Sequence, residues 1–172
     1  MHALETLRGA IPEVAKDLKL NLGAVLQPGN LTLEQVWGVA VATAIASRNP
    51  QLRQAVLEDA LVTVSPQVVD DAKAAAALMA MNNVYYRFRH MVGKAEYQEK
   101  PARLRMQRLA QVATNKADFE LFCLAVSAVN GCEVCVRSHE EVILGAGLSS
   151  EQVHDAVRIA ATMQGVAVAL EM

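Results

Sequence analysis

The chain has 172 residues, of which 53% are hydrophobic, 20% charged and only 4% aromatic. This length suits a single domain, and this apolar fraction argues against intrinsic disorder. The formal net charge of −2 provides no basic surface for nucleic acid or an anionic membrane. No apolar stretch approaches the roughly 20 residues that span a bilayer. Residues 1–9 contain Glu5 and Arg8 and no apolar core, so we predict no signal peptide and a cytoplasmic location.

The apolar residues recur with a helical period along nearly the whole chain, and no alternation of period two is visible. Alanine dominates the apolar set, which favours closely packed helices. Residues typical of helix starts precede most periodic segments, including a capping box formed by Thr32 and Gln35. We therefore predict an all-α fold, with helices over 3–20 (interrupted at Pro12), 32–47, 50–61, 65–91, 101–111, 118–130, 132–144 and 150–170.

A sequence repeat relates two parts of the chain. The run SPQVVD at 65–70 returns as SEQVHD at 150–155, and ATAI at 42–45 aligns with VSAV at 126–129. A repeat interval of this size predicts two related helical halves, about 31–90 and 115–172, within one domain that covers 1–172. Such halves would pack around a pseudo-two-fold axis. Chance similarity between alanine-rich helices is the alternative explanation.

The segment from Asn130 to Glu140 concentrates the reactive side chains. Asn130 and Gly131 form a break signal, so Cys132 is expected where a new helix starts. Cys135 and His139 then follow one turn apart on the same face. A helix N-terminus lowers the pKa of a thiol, and His139 is placed to accept the proton directly or through one water. Peroxide would oxidise one thiolate to a sulfenic acid, and the second thiol would condense with it to form a disulfide.

Two questions stay open at this point. Glu120 lies in the apolar stretch 119–126, where a carboxylate needs a partner, so it either orients His139 or occupies a solvated face. A close cysteine pair also fits half of a zinc site, in which the ligands beyond His139 would have to come from Cys123, Glu120 or His154. Other candidates are assigned structural roles: core positions for Trp37, Cys123, Met79, Met81 and Met91, and surface positions for His2, His90 and His154.

The ordered combination of segments resembles the alkyl hydroperoxide reductase D family, within the wider group of carboxymuconolactone-decarboxylase-like helical proteins. The resemblance covers nearly the whole chain. It implies an all-α fold with two related halves that assembles as a homotrimer. The matching segments are DLKLNL at 17–22, WG at 37–38, SRNP at 47–50, MNNVYYR at 81–87, KADFEL at 116–121 and AVSAVNGC at 125–132.

The resemblance also implies roles for the reactive residues. Cys135 would be the peroxidatic cysteine that becomes a sulfenic acid, and Cys132 the second thiol that closes the disulfide. His139 and Glu120 would form a proton relay. Some members carry a histidine where this chain has Val134, so the way in which Cys132 is activated does not carry over. The neighbouring Glu133 also places a like charge near the thiols, which opposes their ionisation.

The same resemblance implies the reaction partners. Dihydrolipoamide, carried on a lipoylated acyltransferase of a 2-oxo acid dehydrogenase complex, would be the reducing substrate. Electrons would pass to an AhpC-type peroxiredoxin, beside a direct peroxidase activity on alkyl hydroperoxides. No cofactor and no metal are expected. We therefore predict a lipoamide-dependent alkyl hydroperoxide reductase. The alternatives are another carboxymuconolactone-decarboxylase-like enzyme, for which a dithiol has no use, or a zinc-binding helical interaction module.

Overall fold

The computed structural model describes residues 2–172, and all regular structure within that range is helical. The predicted all-α fold is confirmed. Two short 3₁₀ turns, Glu13–Ala15 and Gln107–Ala110, accompany the α-helices. The helices are α1 (His2–Ala10), α2 (Lys16–Val25), α3 (Leu33–Ala46), α4 (Pro50–Leu61), α5 (Pro66–Val92), α6 (Ala95–Gln98), α7 (Lys116–Val129), α8 (Glu133–Gly145) and α9 (Ser150–Ala169).

Local capping interactions explain where several helices start. The Thr32 side chain accepts a hydrogen bond from the Gln35 backbone, and the Gln35 side chain accepts one from the Thr32 backbone, which confirms the predicted capping box of α3. Pro50 occupies the first turn of α4, as predicted. Ser149 and Gln152 form a second capping box that starts α9. These contacts satisfy backbone N–H groups that the first turn of a helix leaves free.

The two central helices are α3 and α7. Residues 35–44 of α3 and 119–127 of α7 are buried without interruption, as expected for helices surrounded on all sides by protein. They touch at Gly38, where a Cβ atom would lie only 2.0 Å from Cζ of Phe122. The predicted core residue Trp37 is buried beside this contact. Helices α5 and α9 pack against both central helices, and α8 packs against α7.

The helices of 31–90 and 115–172 follow one another at similar intervals. Helices α3, α4 and α5 start at residues 33, 50 and 66, whereas α7, α8 and α9 start at 116, 133 and 150. The turn after α3 and the turn after α7 each contain a residue with positive φ, Arg48 at 62° and Gly131 at 66°. These positions agree with the repeat interval in the sequence. Pseudo-two-fold packing of the two halves stays a prediction.

Two local predictions are wrong. Residues 101–106 form no helix, and only Gln107–Ala110 makes a 3₁₀ turn, in which Arg108 pairs with Asp71 of α5. Met91 is 76% exposed near the end of α5, so it is not a core residue, although Met79 on the same helix is buried. Among residues 2–172, no helix combines the length and apolarity needed to cross a bilayer.

Candidate active site

A tight turn between α7 and α8 places the two cysteines. Gly131 adopts a φ of 66°, a conformation that favours glycine, and reverses the chain after α7. Cys132 is the N-cap residue of α8, and Cys135 lies in the first turn. Both sulfur atoms therefore sit near the positive end of the helix dipole, which favours a thiolate over a thiol. The predicted start of α8 at Cys132 is thus one residue early. Both cysteines nevertheless lie at the N-terminus of the helix, as predicted.

Cys132 and Cys135 are joined by a disulfide, with their Cα atoms 5.3 Å apart. Cys132 is fully buried, whereas Cys135 retains 7% exposure. A reagent that arrives from solvent therefore meets Cys135 first. The peroxidatic role of Cys135 and the resolving role of Cys132, which the family resemblance implies, stay predictions.

Glu120 connects α7 to α8 through His139. Its Oε2 lies 2.6 Å from Nδ1 of His139, and its Oε1 lies 2.6 Å from Nζ of Lys116. The carboxylate is only 7% exposed, so the solvated alternative for Glu120 does not apply. Burial raises the pKa of Glu120, but the hydrogen bonds from His139 and Lys116 outweigh it and bring the pKa below the usual range. The carboxylate is therefore ionised at neutral pH and orients the imidazole ring.

His139 also lines a cavity. Its second ring nitrogen, Nε2, lies 3.3 Å from Sδ of Met79, which is only a weak hydrogen-bond partner. Cys135 and His139 both line this cavity, whose volume is about 320 Å³. The remaining lining residues are predominantly apolar: Met79, Asn82, Tyr86, Met106, Leu109, Val134 and Ser138. A small organic molecule that enters the cavity would thus reach the reactive thiol and the imidazole together.

The turn that carries Cys132 is fastened to α5 by polar contacts. Nδ2 of Asn83 donates to Oγ of Ser127 at 2.9 Å, and Oδ1 of Asn83 accepts from Nδ2 of Asn130 at the same distance. The Arg87 guanidinium also donates to the Asn130 carbonyl. These contacts fix the end of α7 relative to α5. They therefore position the start of α8, where the disulfide lies.

A buried carboxylate holds the wall of the cavity that comes from the irregular segment 101–115. Asp71 of α5 accepts hydrogen bonds from the backbone N–H groups of Ala113 and Thr114, and pairs with Arg108 at 2.5 Å. Burial raises the pKa of Asp71, but these hydrogen bonds and the Arg108 charge outweigh it and lower the pKa. Because Met106 and Leu109 belong to this segment, Asp71 positions part of the cavity wall.

Comparison with known proteins identifies the family. A family model described as the carboxymuconolactone decarboxylase family matches residues 95–172. The alkyl hydroperoxide reductase AhpD of Anaeromyxobacter dehalogenans (strain 2CP-C) is 68% identical over 172 residues, which is 100% of this chain and 92% of the relative. This chain belongs to the AhpD family. The AhpD proteins of Solibacter usitatus and Gluconacetobacter diazotrophicus are 54% and 50% identical, each over 98% of this chain and over 96% and 93% of their own lengths.

The remaining predictions for this AhpD-family chain concern residues outside the relay. Cys123 is buried in α7 as predicted, and burial, with the Glu120 charge, raises the pKa of its thiol. Glu133 is 60% exposed and pairs with Arg137 at 2.8 Å, so its charge is largely solvated and partly balanced beside the cysteines. His154 is exposed, as predicted. Within residues 2–172, no group of three or more His, Cys, Asp or Glu side chains is placed to share a metal ion.

Several residues at this AhpD-family site were not singled out from the sequence. Lys116 has a recognisable signal, because it lies four residues before Glu120, a spacing that brings charged side chains together on a helix. Met79 was assigned only to the core, and the two asparagines at 82 and 83 received no role. Met79 contacts His139 of α8, whereas Asn83 contacts Ser127 of α7 and Asn130 in the turn that follows. No local sequence pattern specifies these contacts between distant helices.

Proposed function

We propose that this chain is an alkyl hydroperoxide reductase that cycles Cys132 and Cys135 between dithiol and disulfide. The single observation that carries the proposal is the contact of Glu120 with His139, which lines one cavity together with Cys135. The carboxylate holds Nδ1 of the imidazole at 2.6 Å, while Cys135 lies one helical turn before the histidine. The relatives named alkyl hydroperoxide reductase AhpD, which span the full chain, support the same activity.

The proposed oxidation begins with the reduced pair. His139 accepts the proton of Cys135, and the thiolate attacks the terminal oxygen of the hydroperoxide. The S–O bond forms as the O–O bond breaks, and the leaving alkoxide takes the proton from His139 to become an alcohol. Cys132 then attacks the sulfenic sulfur, which forms the disulfide and releases water. In sum, the hydroperoxide is reduced by two electrons and the two thiols are oxidised.

The proposed reductant is dihydrolipoamide, whose two thiols reopen the disulfide by exchange through a mixed disulfide and leave as lipoamide. We further propose that a lipoylated acyltransferase of a 2-oxo acid dehydrogenase complex delivers this group. The reduced pair would also regenerate an AhpC-type peroxiredoxin. The exchange needs neither a metal nor a further cofactor, because the dithiol carries both electrons.

The proposed assembly is a homotrimer. Light scattering at micromolar concentration should then give about three times the chain mass of 18.5 kDa. A clean monomer would contradict it.

A coupled assay tests the function directly. NADH, lipoamide dehydrogenase and lipoamide supply electrons, and NADH consumption is followed after addition of cumene hydroperoxide, with and without a peroxiredoxin. We expect consumption that requires this protein, and loss of two free thiols per chain when the reduced protein meets peroxide without the reductant. Retention of both thiols after peroxide treatment would contradict the proposal.

A further inference from the structure

The thioether of Met79 is placed against the relay histidine. Its Sδ atom lies 3.3 Å from Nε2 of His139 and is the only hydrogen-bonding partner of that nitrogen within residues 2–172. Met79 is 1% exposed, so the side chain is enclosed by the fold. Nδ2 of Asn83 approaches the same sulfur at 3.9 Å, and Asn83 is itself held by Ser127. Buried neighbours therefore keep the thioether at the edge of the imidazole ring.

The two ring nitrogens of His139 have different partners. Nδ1 lies 2.6 Å from Oε2 of Glu120. An ionised carboxylate only accepts hydrogen bonds, so Nδ1 carries a proton and Nε2 is the nitrogen that can take the proton of Cys135. A thioether sulfur has no hydrogen and also only accepts. The contact between Nε2 and Sδ therefore becomes a hydrogen bond only when the ring is protonated.

The groups around His139 differ in charge. Glu120, which also pairs with Lys116, is the charged group in contact with the ring. Cys135 and Tyr86 are the other titratable side chains that line its cavity. Helix α5 presents an uncharged sulfur to Nε2. Because a thioether is a weak acceptor and is not protonated in water, it stabilises the N–H group without removing the proton.

We propose that Met79 is a positioning residue whose thioether accepts a hydrogen bond from Nε2–H while His139 holds the proton of Cys135. This inference rests on the proposed function. The bond favours the pair of Cys135 thiolate and imidazolium over the neutral thiol and imidazole. The proton passes from Cys135 to Nε2 and then to the leaving alkoxide, and Met79 exchanges neither protons nor electrons. Without the sulfur, a buried N–H group would lack a partner.

The substitution Met79→Leu removes the acceptor and nearly conserves the side-chain volume. We expect iodoacetamide alkylation of Cys135 in the reduced protein to slow about two- to tenfold at neutral pH, the scale of one hydrogen bond. At about pH 9.5 a thiol ionises without a base, so variant and wild type should alkylate equally. Oxidation by cumene hydroperoxide at neutral pH should slow to a similar extent. Met91→Leu, at an exposed position of the same helix, is the matched control and should behave like wild type.

A second pair of proteins tests the sulfur at nearly constant shape. Norleucine in place of all seven methionines replaces each sulfur by a methylene group. Selenomethionine replaces each sulfur by selenium, which also accepts hydrogen bonds. We expect slower alkylation at neutral pH in the norleucine protein and an unchanged rate in the selenomethionine protein.

Each alternative result has a definite meaning. Normal alkylation and oxidation of Met79→Leu at neutral pH would overturn the inference and leave the proposed function intact. Slowing of equal size at neutral pH and at about pH 9.5 would show that Met79 only shapes the site, and would overturn the inference as well. Equal alkylation rates of the norleucine and selenomethionine proteins would do the same. If wild-type protein loses no thiols to peroxide, the proposed function itself fails.

Discussion

Replacement of Glu120 by glutamine tests whether the carboxylate acts through His139. Glutamine keeps the shape of the side chain, and its amide oxygen can still accept a hydrogen bond from Nδ1 of His139. The change removes only the negative charge at 2.6 Å from the ring. A hydrogen bond that involves a charged group contributes about 1.5–3 kcal/mol, against about 0.5–1.5 kcal/mol for a neutral one. The difference of about 1–2 kcal/mol predicts a loss of roughly 5- to 30-fold in the oxidation rate.

The same substitution also breaks the pair with Lys116, and this effect can be separated. Lys116 is half-exposed, so its ion pair is expected to contribute less than about 1 kcal/mol to stability. Lys116→Met breaks that pair but leaves the contact between Glu120 and His139, and should retain nearly full activity. Glu141→Gln neutralises an exposed carboxylate on α8 and should have no effect.

The assay combines stopped-flow oxidation by cumene hydroperoxide with the pH dependence of iodoacetamide alkylation. We expect Glu120→Gln to slow both reactions near neutral pH while the helical circular dichroism stays unchanged. In the double variant with His139→Phe, Glu120→Gln should slow oxidation little further than His139→Phe alone, because residues that act as one unit have non-additive effects. If Glu120→Gln reacts and alkylates like wild type, the carboxylate serves only as a partner for Lys116, and the relay reduces to His139.

Three further predictions follow from the site and the core. Cys135→Ser should abolish peroxide turnover, whereas Cys132→Ser should react once and stop as a sulfenic acid that dimedone traps. If Cys135→Ser still turns over peroxide and dimedone labels its Cys132, the peroxidatic and resolving roles of the two cysteines are reversed. Gly38→Ala should lower the free energy of unfolding by about 1–3 kcal/mol, because its Cβ would meet Phe122 at 2.0 Å. Gly9→Ala is the control, because its Cβ would meet no atom within 4 Å. Equal melting temperatures for the two variants would contradict the close approach of α3 and α7 at Gly38. The pKa of Asp71 is lowered in the folded state, so its contribution to stability is present above the unfolded value of about 4 and is lost as the pH falls below it. The free energy of unfolding, measured with urea between about pH 3 and 7, should therefore fall less toward acid pH in Asp71→Asn than in wild type. An equal fall in both proteins would refute this.

Much of the site could be predicted because its central elements are local. Cys132, Cys135 and His139 lie on consecutive turns at one end of α8, so their common face follows from the helical period alone. The contact between Glu120 and His139 does not follow from the sequence alone. A carboxylate in an apolar stretch required some partner, but the sequence allowed a solvated position equally, and the packing of α7 against α8 decided between them.

The sequence by itself determined the helical class of this protein, most helix starts and the reactive turn of α8. The responsible interactions reach no further than one helical turn: side-chain caps such as Thr32, a proline in the first turn of α4, and the Gly131 reversal. Only the tertiary structure decided the path of 107–114, because Asp71, more than 30 residues earlier in the chain, pairs with Arg108 and accepts hydrogen bonds from the backbone N–H groups of Ala113 and Thr114. It alone also decided that Asn83 is satisfied, since its partners Ser127 and Asn130 come from α7 and the turn after it.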